Sequence, residues 1–127
     1  MKIRLQVLAL GAIGILVAAG ALSAHHRWPV NRGTEVTAEG TVTAYAWGNP
    51  HVMIGLEVET DDGRVEMWKV GGPSINRMVA NGWDGSTLKT EDVITGIGYR
   101  FTDGPRILRL ERIATSDGRE LFLYGSP

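Results

Sequence analysis

At 127 residues, with 13 Lys and Arg against 14 Asp and Glu, the chain is the size of one domain and carries a formal net charge of −1. That weakly acidic balance makes nucleic acid a poor partner, since phosphate binding needs a clustered positive surface. The absence of cysteine excludes disulfides, thiol nucleophiles and thiolate ligands, so stability rests on packing and a metal site must rely chiefly on nitrogen or oxygen ligands.

The first segment reads as a secretory signal peptide over residues 1–24. Lys2 and Arg4 form a positive start, Val7 to Leu22 is an uncharged apolar run, and Ala21-Leu22-Ser23-Ala24 supplies the small residues of a cleavage site. Cleavage after Ala24 makes His25 the new N-terminus and places the protein in the periplasm or outside the cell. An uncleaved anchor is the other reading, because the run is slightly long for a signal core and slightly short for a membrane span. Membrane contact is expected only in that case. Residues 25–33, His-His-Arg-Trp-Pro-Val-Asn-Arg-Gly, lack periodicity and carry Pro29 and Gly33 as breakers, so they read as an extended arm with Trp28 anchoring it to the domain.

Residues 34–127 read as one β domain. Thr34 to Trp47 alternates, with Val36, Ala38, Val42, Ala44 and Ala46 on the inner face, Tyr45 and Trp47 on the outer face, and a bend or bulge at Gly40. Gly48-Asn49-Pro50 cannot continue a strand, so Trp47 and His51 flank a corner. Val52, Ile54, Leu56 and Val58 then point inward and His51, Met53, Glu57 and Glu59 outward. Asp61-Asp62-Gly63 marks a hairpin. A two-residue Asp62-Gly63 loop pairs Val58 with Met67 and Glu57 with Trp68, matching inward with inward residues. It also sets Glu59 opposite Glu66. A three-residue loop sets Val58 against Glu66 and is disfavoured on facing.

Gly71-Gly72-Pro73-Ser74 ends the third strand and opens a short helix with an apolar stripe at Ile75, Met78 and Val79, stopped by Asn81-Gly82. Trp83 and Leu88 pack beneath the connection. Strands follow at Val93–Phe101 and Ile107–Ile113, with Gly96 and Gly98 clearing space for curvature or a neighbouring backbone. A last strand runs from Leu121 to Tyr124. Three strands, a helix and two strands with a terminal addition predict a mainly β fold: a small OB-like barrel of five or six strands with one helix between strands 3 and 4. An open meander capped by the helix is the competing architecture.

Several motifs together resemble a family of small exported bacterial proteins of unassigned function. They are Ala24-His25-His26, Gly40-Thr41-Val42-Thr43, Trp47-Gly48-Asn49-Pro50-His51, Trp68, Gly82-Trp83, Leu88-Lys89-Thr90-Glu91-Asp92 and Asp117-Gly118. The resemblance spans essentially the whole chain, and it implies export and a barrel-like β domain but no established activity. Two positions depart from the family pattern: Trp28 stands where members usually carry Phe, and Glu91 where they usually carry Gly.

The residues that carry chemistry are the histidines. A free N-terminal His25 chelates through its amine and imidazole, and His26 or His51 completes a T-shaped nitrogen set suited to Cu(II), with Met53 as a soft contact. Non-catalytic copper binding through His25, His26 and His51, with Trp47 and Asn49 shaping the corner, is the role these residues favour. Against it stands a loose chelate on a free arm, with His51 bonding a backbone carbonyl and Asn49 serving the turn. The second role is a binding module for a small ligand or a periplasmic protein, presenting Tyr45, Trp47 and Trp68 as an outward aromatic platform. No enzyme is expected. Ser74, Ser86, Ser116 and Ser126 have no histidine near them in sequence, Asp84, Glu91 and Asp92 read as turn and cap residues, and Gly71-Gly72-Pro73-Ser74 resembles an anion-binding helix start only weakly.

Overall fold

Strand β1 (Val30–Ala46) is the long central strand, paired along both edges. The computed structural model describes residues 28–104 and 106–125, so residues 1–24 and the pair His25 and His26 lie outside the described residues. Along β1, one edge is taken by β2 (Met53–Glu59) and the other by β4 (Val93–Phe101), both antiparallel. β3 (Val65–Gly71) pairs with β2, β5 (Ile107–Thr115) with β4, and β6 (Glu120–Phe122) with β5. A short parallel ladder of Lys69, Val70 and Gly71 with Ile107, Leu108 and Arg109 joins β3 to β5, so the pairings run β1-β2-β3-β5-β4 and return to β1. Among the described residues the fold is mainly β, with six strands and one short helix, α1 (Ile75–Ala80), between the third and fourth.

β1 begins at Val30, inside the expected arm. Pro29 O accepts the Thr102 amide at 2.9 Å and Val30 pairs with Phe101, which lays the arm's end along β4. The irregularity expected at Gly40 falls instead between Val42 and Ala44. Gly40 stays in the ladder opposite Ile94 and meets a different need, since a Cβ there would lie 2.6 Å from Glu57 O. The extra residue at the bulge exchanges the faces beyond it. Ala44 and Ala46 therefore point outward, and Tyr45, opposite Ile54, packs on the core.

The hairpin register also differs from expectation. Thr60 and Arg64 close a three-residue loop, with Thr60 N to Arg64 O at 2.8 Å and Gly63 N to Thr60 O at 2.8 Å, and Gly63 takes φ +80°. Glycine at the left-handed third position is what such a loop requires. Arg64 Nε braces it on Asp62 at 2.7 Å. Val58 thus sits opposite Glu66 and Leu56 opposite Trp68. Trp68 turns inward, 8% exposed, while Met67 and Val65 face out at 55% and 60%. Glu59 and Glu66 are not partners; Glu66 binds Arg106 at 3.1 Å and accepts the Trp68 indole N–H at 3.1 Å. Thr115 to Arg119 repeats the same loop, with Gly118 at φ +85° and Asp117 braced by Arg119 at 2.8 Å.

The core combines Val42, Ile54, Leu56 and Val70 with Ile94, Leu108, Leu110, Ile113 and Leu123, closed at one end by Met78 and Trp83. α1 contributes less than its stripe implies, because Met78 is fully buried but Val79 is 55% exposed. The helix ends in a double backbone closure, Trp83 N to Met78 O at 3.1 Å and Gly82 N to Val79 O at 3.0 Å, with Gly82 at φ +86°. Trp83 is anchored by its indole N–H on Phe122 O at 2.8 Å. Leu88 is likewise buried beneath the connection.

Candidate functional site

The corner after β1 is laced to the Gly-Gly-Pro-Ser segment after β3. Gly72 N donates to Val52 O at 2.8 Å, Val52 N donates to Pro73 O at 3.0 Å, and Asn49 Oδ1 accepts the Ile75 amide at 3.1 Å. Asn49 thereby supplies an acceptor at the start of α1, where the Ser74 hydroxyl makes no capping bond. The lacing leaves the His51 imidazole at the rim. Its Nδ1 lies 3.2 Å from Gly72 O, which can only accept, so Nδ1 carries the proton and Nε2 offers a lone pair. That lone pair accepts the Trp28 indole N–H at 3.2 Å.

Trp28 is the anchor that the sequence predicts. Its ring meets His51 edge-on at 4.6 Å between centroids and Phe101 at 5.2 Å. It lies over Gly71, where a Cβ would come within 2.6 Å of Trp28 Cη2 and 2.9 Å of Met53 Sδ. Glycine at 71 is therefore the seat of the indole, and Met53 flanks it.

Beside this contact opens a cleft of about 720 Å³ lined by Trp28, Val30, Arg32, Pro50, His51, Pro73, Ser74, Arg77, Arg109 and Tyr124. The Arg109 guanidinium lies 4.0 Å from the Tyr124 ring centroid and is paired with Glu111; the Arg77 guanidinium approaches the same ring at 5.8 Å. Burial pushes the Tyr124 hydroxyl up from its ordinary value against the opposing pull of Arg109, so it remains a neutral phenol. Ser74 and His51 line one cleft, yet both His51 nitrogens face other partners, Trp28 and Gly72.

The predicted site residues disperse. His51 is in the cleft wall and Asn49 and Met53 support it, whereas Tyr45, Trp47 and Trp68 form no outward platform. Tyr45 and Trp47 pack on the core with ring centroids 5.9 Å apart, and Tyr45 donates its hydroxyl to Asp84 O at 2.7 Å. Trp47 faces Gly85, so the indole beside the imidazole is that of Trp28. Trp68 is core, under the Arg100 guanidinium at 5.1 Å. Asp84 and Asp92 act within their turns, Asp84 accepting from Ser86 and Thr87 and Asp92 from the Lys89 amide. Among the described residues no three His, Cys, Asp or Glu side chains converge for a metal. Arg32, Arg77, Arg109 and Tyr124 escaped sequence reading because they come from four separate parts of the chain and share no local motif.

A family model described as a family of unknown function (DUF6152) matches residues 13–108, three quarters of the chain. The chain belongs to that family. The DUF6152 match takes in the corner, Trp28, α1 and β4, and leaves Arg109 and Tyr124 beyond its end. No curated protein and no solved structure matches the chain.

Proposed function

We propose that this is an exported, non-catalytic binding protein, a small OB-like barrel whose ligand site is the cleft beside the Trp28–His51 contact. The ring of pairings and the placement of α1 between the third and fourth strands support the barrel reading. The observation that carries the binding reading is the cleft itself. A volume of about 720 Å³, within the roughly 300–1,000 Å³ of ligand clefts, gathers convergent arginine, histidine, serine and tyrosine side chains beside an indole and two prolines. The test is a fragment screen by ¹⁵N–¹H NMR on protein beginning at His25. Fragments are expected to shift the Trp28 indole resonance and to lose that effect in Ser74→Trp, which fills the cleft. Hits spread evenly over the surface, or none, overturn the reading.

A second reading is Cu(II) binding through His25, His26 and His51, with Met53 nearby. Its support is the docking of Trp28 on His51 at 3.2 Å. His26 precedes Trp28 by two residues in sequence, a span of at most ~7 Å of extended chain. Copper at His51 Nε2 would take the lone pair that now accepts the indole N–H, with Trp28 held by its seat over Gly71. Cu(II) titration with electron paramagnetic resonance is then expected to give a tight one-to-one nitrogen-ligated signal, altered by His51→Ala and by an N-terminal extension. Weak binding indifferent to His51→Ala reduces the pair to a loose chelate.

A further inference from the structure

We propose that the cleft takes a small organic anion, a carboxylate or phosphate ester with an apolar body, with Arg77 and Arg32 gripping its oxygens; this rests on the binding reading above and names its ligand class. Three guanidiniums line one cleft in a chain whose net charge is −1. Glu111 neutralises only Arg109. Among the described residues Arg32 and Arg77 form no ion pair, although Asp and Glu slightly outnumber Lys and Arg overall. Like charges gathered in a concave site raise its potential and draw in an anion.

The arrangement is built rather than incidental. Arg109 is only 14% exposed, held by Glu111 and by the Tyr124 ring at 4.0 Å, so a charged group forms part of the cleft's fixed wall. Arg77 addresses the same ring at 5.8 Å, and its own guanidinium fork is left for an external acceptor. The Tyr124 phenol, kept neutral by burial, and the Ser74 hydroxyl, unused as a cap, are further donors for oxygen. Trp28, Val30, Pro50 and Pro73 supply apolar surface for the remainder of the ligand. His51 does not compete for the anion, because its Nδ1 proton is committed to Gly72 and its Nε2 accepts from Trp28.

The test is calorimetric titration of the protein beginning at His25 with sodium benzoate, phenyl phosphate and the neutral benzyl alcohol at low ionic strength. It is repeated on Arg77→Gln and Arg32→Gln, exposed changes whose folding is checked by thermal melting. Benzoate and phenyl phosphate are expected to bind, benzyl alcohol at least about tenfold more weakly, and Arg77→Gln to weaken the anions by about tenfold with the alcohol unaffected. Benzyl alcohol binding as well as benzoate overturns the anion inference while leaving the binding reading standing. Anion affinity unchanged in both arginine variants overturns it as generic surface attraction. No binding by any probe overturns both.

Discussion

Replacing Gly71 with alanine should undock Trp28 without unfolding the domain. The new Cβ would lie 2.6 Å from Trp28 Cη2, 3.0 Å from Trp28 Cζ3 and 2.9 Å from Met53 Sδ, against ordinary carbon contacts of about 3.5–4.0 Å. Met53 can rotate away, but the indole cannot shift by ~1 Å and keep its bond to His51. The bond at 3.2 Å is worth about 1 kcal/mol net, and the contacts with His51 and Phe101 add roughly 0.5–1 kcal/mol in this half-exposed setting. Alanine returns about 0.5 kcal/mol by restricting the unfolded chain, so the net loss should be about 1–1.5 kcal/mol. Trp28 is not among the core residues, so the urea transition should stay cooperative with an unchanged slope. The assay is urea unfolding of wild type, Gly71→Ala, Trp28→Ala and the double variant, with the Trp28 indole resonance followed by NMR. In the double variant the Gly71 change should cost almost nothing, because the clash has lost its partner. An unmoved indole resonance in Gly71→Ala, or additive losses in the cycle, would refute the seat assigned to Gly71.

Glu91 is the one described non-glycine residue at positive φ, +74°, in the turn that leads into β4. Glu91→Gly should raise stability by about 0.5–1 kcal/mol, the relief of left-handed strain less the entropy of glycine, read as an upward shift of the thermal midpoint; a drop would mean that the Glu91 side chain holds the turn. Tyr45 is pushed up to about 12 by burial and by the nearby Asp84 carboxylate. Its folded value lies above the unfolded one near 10, so its contribution is complete below pH 10 and is lost as pH rises toward 12. Urea midpoints measured from pH 9 to 12 should fall more steeply in wild type than in Tyr45→Phe, by about 1 kcal/mol after allowance for solvent screening. Parallel curves would place the Tyr45 hydroxyl in water.

Most strand positions, the helix, the buried Trp83 and Leu88 and the anchoring of Trp28 were readable from alternation, breakers and the helix stop, because those signals are local. Facing was not. A bulge at Thr43 and a third loop residue, Asp61, each move a strand by one position, and one position exchanges its two faces. Trp68 consequently joined the core and Tyr45 packed against it instead of forming an outward platform. The signal for the loop was present but unused: Thr60-Asp61-Asp62-Gly63-Arg64 and Thr115-Ser116-Asp117-Gly118-Arg119 share Thr-x-Asp-Gly-Arg, and both form the same braced three-residue turn. The Glu91 departure noted in the sequence was informative too, since the backbone there keeps the left-handed form in which glycine is unstrained.

The sequence by itself determined what local chemistry decides: a mainly β fold without disulfides, where its strands break, and which corner carries a lone imidazole. Tertiary structure alone decided that His51 is bonded by Trp28, that Gly71 seats that indole, and that Arg32, Arg77, Arg109 and Tyr124 meet in one cleft. The reason is physical. Periodicity and turn propensity act over a few residues, whereas this cleft is assembled by the ladders that bring β1, the end of β3 and β5 together across 97 described positions, and no short-range preference encodes which side chains meet there.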